Sequence, residues 1–327
     1  AKIKALKVIS RVSVMQYKGV HKPLPEIARE LGVDKVLTGS VLHAESRVRV
    51  STQIVEASTD SSIWAESYER DRSDILALQS ELSRAITEAV EVKLDPEVEQ
   101  RITVSRTVDP VAHDAYLRGL SDLEEAYLGV PNMRDLLRTA FGHLEQAIEL
   151  EPEWGSPRDA LACGYRLAAG GGSTQVQAEY YAKAKATALE AIELDPNIYR
   201  APTALGLTLG LHEWKWVEAE RYFLRAYALN RTVVCWPLAH FLSKAGRFDE
   251  AIEHFQRAQE RYPGNPLVSV HLGEAYLCAG RPEEAEAEAR RIIETCPGLF
   301  HGYLHLGMIF LHTGKYEEAV TLLEKSH

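Results

Sequence analysis

Three segments of this chain are near-copies of one another, and their spacing limits the folds open to it. Ala245 to Ala251 reads AGRFDEA, Ala279 to Ala285 reads AGRPEEA and Thr313 to Ala319 reads TGKYEEA. The glycines step by 34 residues, and so do the closing alanines. Gly273 and Gly307 keep the interval, as do Pro263 and Pro297. Each unit predicts helix, tight turn, helix. Gly246, Gly280 and Gly314 stand where the chain must take a positive φ, which glycine does at little cost. The acidic pairs Asp249/Glu250, Glu283/Glu284 and Glu317/Glu318 open the second helix, where the helix dipole favours negative charge. Ala251, Ala285 and Ala319 let two helices pack closely. The prolines end the second helix.

A 34-residue period with small residues at fixed offsets resembles the tetratricopeptide repeat. That resemblance implies stacked helical hairpins forming a superhelical solenoid with one hollow side. Working back from the clear copies, Ala219, Phe223 and Ala226 mark an earlier second helix, with a one-residue slip at the turn His212 to Trp216. Ala184, Ala188 and Ala191 mark another, and Ala140, Leu144 and Ala147 the first. Six units are expected, starting near 111, 156, 199, 232, 266 and 300. The first two intervals are longer, which predicts an insertion between the helices of each. Ala169 to Thr174 is the second insertion. It is glycine-rich but lacks the Gly-Lys-Ser/Thr ending of a phosphate loop.

The upstream part has a different rhythm. Ala5 to Ser10 reads as a strand. A helix from Glu26 to Leu31 stops at Gly32. Strands follow at Val36–Ala44, Val48–Ala57 and Ile63–Tyr68. In the second, Val48, Val50, Thr52 and Ile54 alternate with Arg49, Ser51 and Gln53, the pattern of a half-buried antiparallel strand. Gly39 marks a bulge or a close backbone approach. A helix over 73–94 has its apolar stripe on Ile75, Leu78, Leu82 and Ile86. Lys2, Lys4, Lys7, Arg11, Lys18 and Lys22, with no acid among them, read as a solvated sheet edge guarded by lysines.

The segments Leu6–Arg11, Ser13–Gly19, Glu26–Val33, Val36–Val41 and Ile63–Asp71 resemble the TolB amino-terminal-like domain. In bacterial signalling proteins that α/β module precedes tetratricopeptide repeats, attached to serine/threonine kinases, nucleotide cyclases or winged-helix regulators. Family members begin with a further strand and helix that this chain lacks, which implies an exposed edge open to self-association. The expected class is α+β: a small α/β domain with an incomplete mixed sheet over 1–94, a joint over 95–110, and an all-α solenoid over 111–327.

Composition excludes several functions. The net charge of −10 opposes non-specific nucleic-acid binding. No apolar run is long enough to span a membrane as a helix. Cys163, Cys235, Cys278 and Cys296 are scattered without CxxC spacing, so free thiols are expected rather than zinc or disulfides. The chain opens at Ala1 without an initiator Met, the expectation for a piece of a longer protein.

No nucleophile elbow, kinase signature or dinucleotide fingerprint is present. The expected function is therefore binding of a protein or peptide, with no catalytic residue, cofactor or metal. In this repeat the first helix of each unit lines the hollow side, which predicts a groove formed by Trp236, His240, Lys244, His271, Glu274, His301, His305, Met308 and His312. His301 and His305 share one helical face, and His271 and His305 are equivalent in adjacent units. Paired histidines can ligate zinc, but no HExxH or completing carboxylate stands at a familiar spacing. The alternative is a regulatory region of a kinase, cyclase or winged-helix regulator whose output domain lies elsewhere.

Overall fold

The computed structural model describes residues 8–9, 13–14, 17, 22–44, 47–71, 74–90, 107–127, 132–170, 173–262, 265–295 and 300–325. These fall into two compact units, the first holding 15–201 and the second 202–327. The expected strand over 5–10 and most of the basic run lie outside the described residues, as do Pro263, Pro297, Cys296 and most of the joint.

The first unit opens with α1 (Leu24–Leu31), ended by Gly32 at φ 62°. Then come β1 (Lys35–Ala44), β2 (Arg47–Glu56) and β3 (Ser61–Asp71), an antiparallel meander in the order β1-β2-β3. The described sheet is wholly antiparallel; the mixed sheet expected from sequence needed the strand over 5–10. The alternation in β2 holds, with Val48 and Ile54 buried and Arg49 and Gln53 exposed. The bulge lies at Ile54/Val55 rather than at Gly39. Gly39 serves close approach instead: a Cβ there would lie 2.6 Å from the Ser51 carbonyl oxygen.

Helix α2 (Ile75–Ala89) buries Leu78 and ties back to β3 through an Arg70–Glu81 ion pair at 2.7 Å. Its N-cap is Asp74; position 73 and positions 91–94 of the expected 73–94 lie outside the described residues. Two helical hairpins follow: α3 (Pro110–Ala126) with α4 (Met133–Leu150), then α5 (Gly155–Ala168) with α6 (Thr174–Leu194). Asp109 caps α3 by accepting from the Val111 and Ala112 amides. Ile75 and Leu76 pack on a cluster of Val108, Ala112 and Trp154. The hairpins share a core of Leu123, Leu137, Leu144, Leu161 and Tyr165, interleaved with Ala140, Ala160 and Ala184. The extra residues of these units fall partly between the helices, over 127–132 and 169–173 against 245–247 in a later unit, and partly in longer second helices. Helix α6 has 21 residues where the next second helix, Trp216–Leu229, has 14.

Helix α7 (Arg200–Leu211) crosses the boundary. The second unit continues with α8 (Trp216–Leu229), α9 (Arg231–Lys244), α10 (Phe248–Arg261), α11 (Pro266–Cys278), α12 (Pro282–Thr295), α13 (Phe300–His312) and α14 (Tyr316–Lys325). The six predicted starts fall within a residue of α3, α5, α7, α9, α11 and α13. Gly246, Gly280 and Gly314 take φ of 77°, 73° and 80°. Each is followed by an amide bonded five residues back: Arg247 to Leu242, Arg281 to Tyr276 and Lys315 to Phe310, at 2.8–3.0 Å. This is the left-handed closure of a helix end. The earlier turn has one residue more, with Lys215 bonding Leu209, and Trp214 takes the left-handed place at φ 57°. That extra residue is the slip visible in the sequence. Ala251, Ala285 and Ala319 have no exposed surface.

Candidate functional site

Helices α9, α11 and α13 lie side by side as the first helices of successive hairpins. Their buried sides carry Leu238, Leu242, Leu272, Leu306 and Phe310. Every residue expected to line the groove is partly or fully exposed on the remaining face. The repeat sets this register, because the buried residues of one first helix recur 34 positions along in the next.

Glu274 is the hub. One carboxylate oxygen lies 3.1 Å from His271 Nδ1 on the same helix, the other 3.8 Å from His305 Nε2 on α13. The His271 hydrogen bond, with His305 and Lys244, holds the Glu274 carboxyl below its ordinary value against the effect of burial. The His240 and His271 rings meet edge to face at 5.3 Å, and Trp236 lies 6.2 Å from His271. Burial pulls both His301 and His305 below the usual histidine value. His301 Nδ1 is buried without a hydrogen-bond partner, so this ring nitrogen is desolvated and unsatisfied.

The structure thus brings together Trp236, His240, Lys244, His271, Glu274, His301 and His305. Met308 and His312 are exposed further along α13, and the His312 side chain makes no hydrogen bond or ion pair with a described side chain. Sequence reasoning missed two aromatic neighbours. Phe255 of α10 stacks on His271 at 6.1 Å, and Phe300 lies 3.9 Å from the His301 ring. Phe300 precedes His301 directly, but Phe255 is on a second helix and carries no signal of groove proximity. Among the described residues no group of three His, Cys, Asp or Glu side chains is placed to hold a metal ion. Cys163 and Cys235 are buried free thiols, and Cys278 is an exposed one. The cluster offers hydrogen bonds, one carboxylate and aromatic faces, the chemistry of recognition.

Two family models, each described as Tetratricopeptide repeat, match residues 242–298 and 300–326. These segments are tetratricopeptide repeats. Solved structures agree on the fold. The human IFIT1 dimer with m7Gppp-AAAA aligns at a TM-score of 0.54 and 16% identity, covering 77% of this chain and 54% of that one. PilW, described as a widely conserved type IV pilus biogenesis factor, aligns at 0.52 and 16% identity, covering 66% of this chain and 91% of that one. A curated relative from Rhizobium meliloti (strain 1021), named "Putative adenylate cyclase 3", is 41% identical over 118 residues. The match takes in 36% of this chain and only 20% of that relative. No helix among the described residues is long and apolar enough to cross a membrane.

Proposed function

We propose that this chain is the interaction region of a bacterial signalling protein and that an extended protein or peptide segment binds along α9, α11 and α13. The observation that carries the reading is the Glu274 hub, which links partly exposed histidines of adjacent tetratricopeptide repeats. Solenoids of this kind present extended binding surfaces. Trp236, His240 and His271 supply aromatic faces, Lys244 a cation, and His301 and His305 ring nitrogens for a partner's backbone or polar side chains. Met308 and His312 extend the surface toward the end of α13. The order α1, β1, β2, β3, α2 supports a TolB-like module upstream, and the chain itself performs no reaction.

The test is to pan a display library of extended peptides against the full chain. Selected peptides are expected to bind at least tenfold more weakly to the His271→Ala/His305→Ala double variant, with no change for Glu284→Ala. Unchanged binding by the double variant would place the site elsewhere.

The cyclase-named relative favours a second reading, in which this region regulates a catalytic domain in the complete protein. A cyclase domain in the full coding sequence, with ATP cyclisation altered by the same histidine substitutions, supports it. A complete coding sequence with no catalytic domain rules it out.

A further inference from the structure

Among the described residues β1 and β3 are the two edges of the sheet, and they are built differently. Strand β3 carries Glu66, Glu69, Arg70 and Asp71, the kind of charged side chain that keeps a free edge from pairing. Strand β1 has neither a charge nor a proline from Val36 to Leu42, and its register with β2 runs unbroken from Lys35 to Ala44. Leu37, Val41 and Leu42 are 51%, 58% and 61% exposed. An open apolar edge without these guards is a template for another strand. Helix α2 ties to β3 through the Arg70–Glu81 pair, at the other side of the sheet from β1.

The order of side chains in β1 selects the strand that fits it. Val36 to Leu42 reads VLTGSVL, nearly the same in both directions about Gly39. Laid antiparallel on a second copy with the two Gly39 residues opposed, Leu37 meets the partner's Val41, Val36 meets the partner's Leu42 and Thr38 meets the partner's Ser40. Opposed residues of an antiparallel pair share a face, and apolar pairs and hydroxyl pairs are the favourable ones. The faces agree: Leu37 and Val41 stand opposite Ile54 and Val50 on one side of the sheet, Val36 and Leu42 opposite Val55 and Arg49 on the other. Moving the centre by one residue sets Thr38 against Leu42 or Val36 against Ser40. The chain carries a net charge of −10, and this edge is a place where two copies meet without opposing any of it.

We infer that β1 is the contact of a homodimer, in which two three-stranded sheets join edge to edge with Gly39 on the two-fold axis. The pairing consumes both β1 edges and leaves the charged β3 strands outermost, so it closes at two chains. The contact is small, which makes the dimer a transient one. It uses none of the histidine-cluster residues and does not depend on the peptide-binding reading.

The test is sedimentation velocity of the full chain over roughly a hundredfold range of concentration, where a monomer–dimer equilibrium is expected. Leu37→Glu and Val41→Lys should each weaken the dimer at least about tenfold, because each sets a charge against an apolar side chain. The double variant Leu37→Glu/Val41→Lys brings opposite charges face to face at both symmetry-related pairs and should regain most of the loss. Ile63→Lys, on β3, should leave the dimer unchanged. Leu37 and Val41 are more than half exposed, so these substitutions spare the core, and circular dichroism melting checks that each variant is folded. If one is not, Val36→Glu, Leu42→Lys and their double variant ask the same question on the opposite face. A monomer at every concentration overturns the inference and leaves the β1 edge to a strand of another protein. So does a dimer indifferent to both single substitutions, or a double variant that associates no better than the singles.

Discussion

Gly273 and Gly307 occupy one register position of successive repeats, yet alanine should act oppositely at the two. At Gly273 an added methyl would lie 3.7 Å from the Ala285 carbonyl oxygen and from Glu288 Cβ, which is ordinary contact. The same position of α9 already holds Ala239, fully buried. Replacing glycine by alanine inside a helix gains roughly 0.5–1 kcal/mol, and here nothing opposes the gain. At Gly307 the methyl would lie 2.8 Å from Leu323 Cγ and 2.9 Å from Cδ2. Overpacking of this kind costs about 1–3 kcal/mol. Set against the same helical gain, the net effect is a loss of roughly 1 kcal/mol. Urea denaturation and thermal melting followed by circular dichroism measure both. Gly273→Ala should raise the melting temperature and Gly307→Ala should lower it, at about 2–4 °C per kcal/mol. Shifts of the same sign would refute the packing argument, because helix propensity alone moves both variants upward.

Ala285→Trp should lower stability by at least about 2 kcal/mol, since Ala285 has no exposed surface, whereas Glu284→Ala should shift the melting temperature far less. Trp214→Gly should raise stability by up to about 1 kcal/mol, because a left-handed non-glycine residue is strained and Trp214 is 71% exposed. Burial pushes the Asp159 carboxyl up to about 6 from 3.8, against the opposing pull of Arg200 and the Ala201 amide. The folded chain therefore holds this proton more tightly, so the contribution is full below pH 3.8 and is lost as pH rises through 6. That loss amounts to about 3 kcal/mol, and Asp159→Asn should remove it from a melting series between pH 4 and about 7. His301 and His305 act in the other direction. Their folded values are lowered, so stability is present above about pH 6.5 and falls on acidification, and His301→Gln/His305→Gln should flatten the melting profile from about pH 7 to 5.

Hairpin boundaries were legible in the sequence wherever a local backbone requirement selects a residue type. A left-handed helix end selects glycine, so Gly246, Gly280 and Gly314 announce three turns before any coordinate is known. The earlier turn hid its boundary because Trp214 takes that conformation in a loop one residue longer, and nothing local marks a tryptophan as the closing residue. Long helices were misread for a related reason. The interval between units reports added residues but not whether they coil or loop, and α6 absorbed part of them as helix. The histidine cluster was legible because its members repeat along first helices at a known register. The buried Asp159 and its partner Arg200 were not, because they come from α5 and α7 and no repeat spacing links them. Repetition exposes whatever every unit must share. A binding site depends on what individual units do differently, so it is read only once side chains from separate helices are seen to meet.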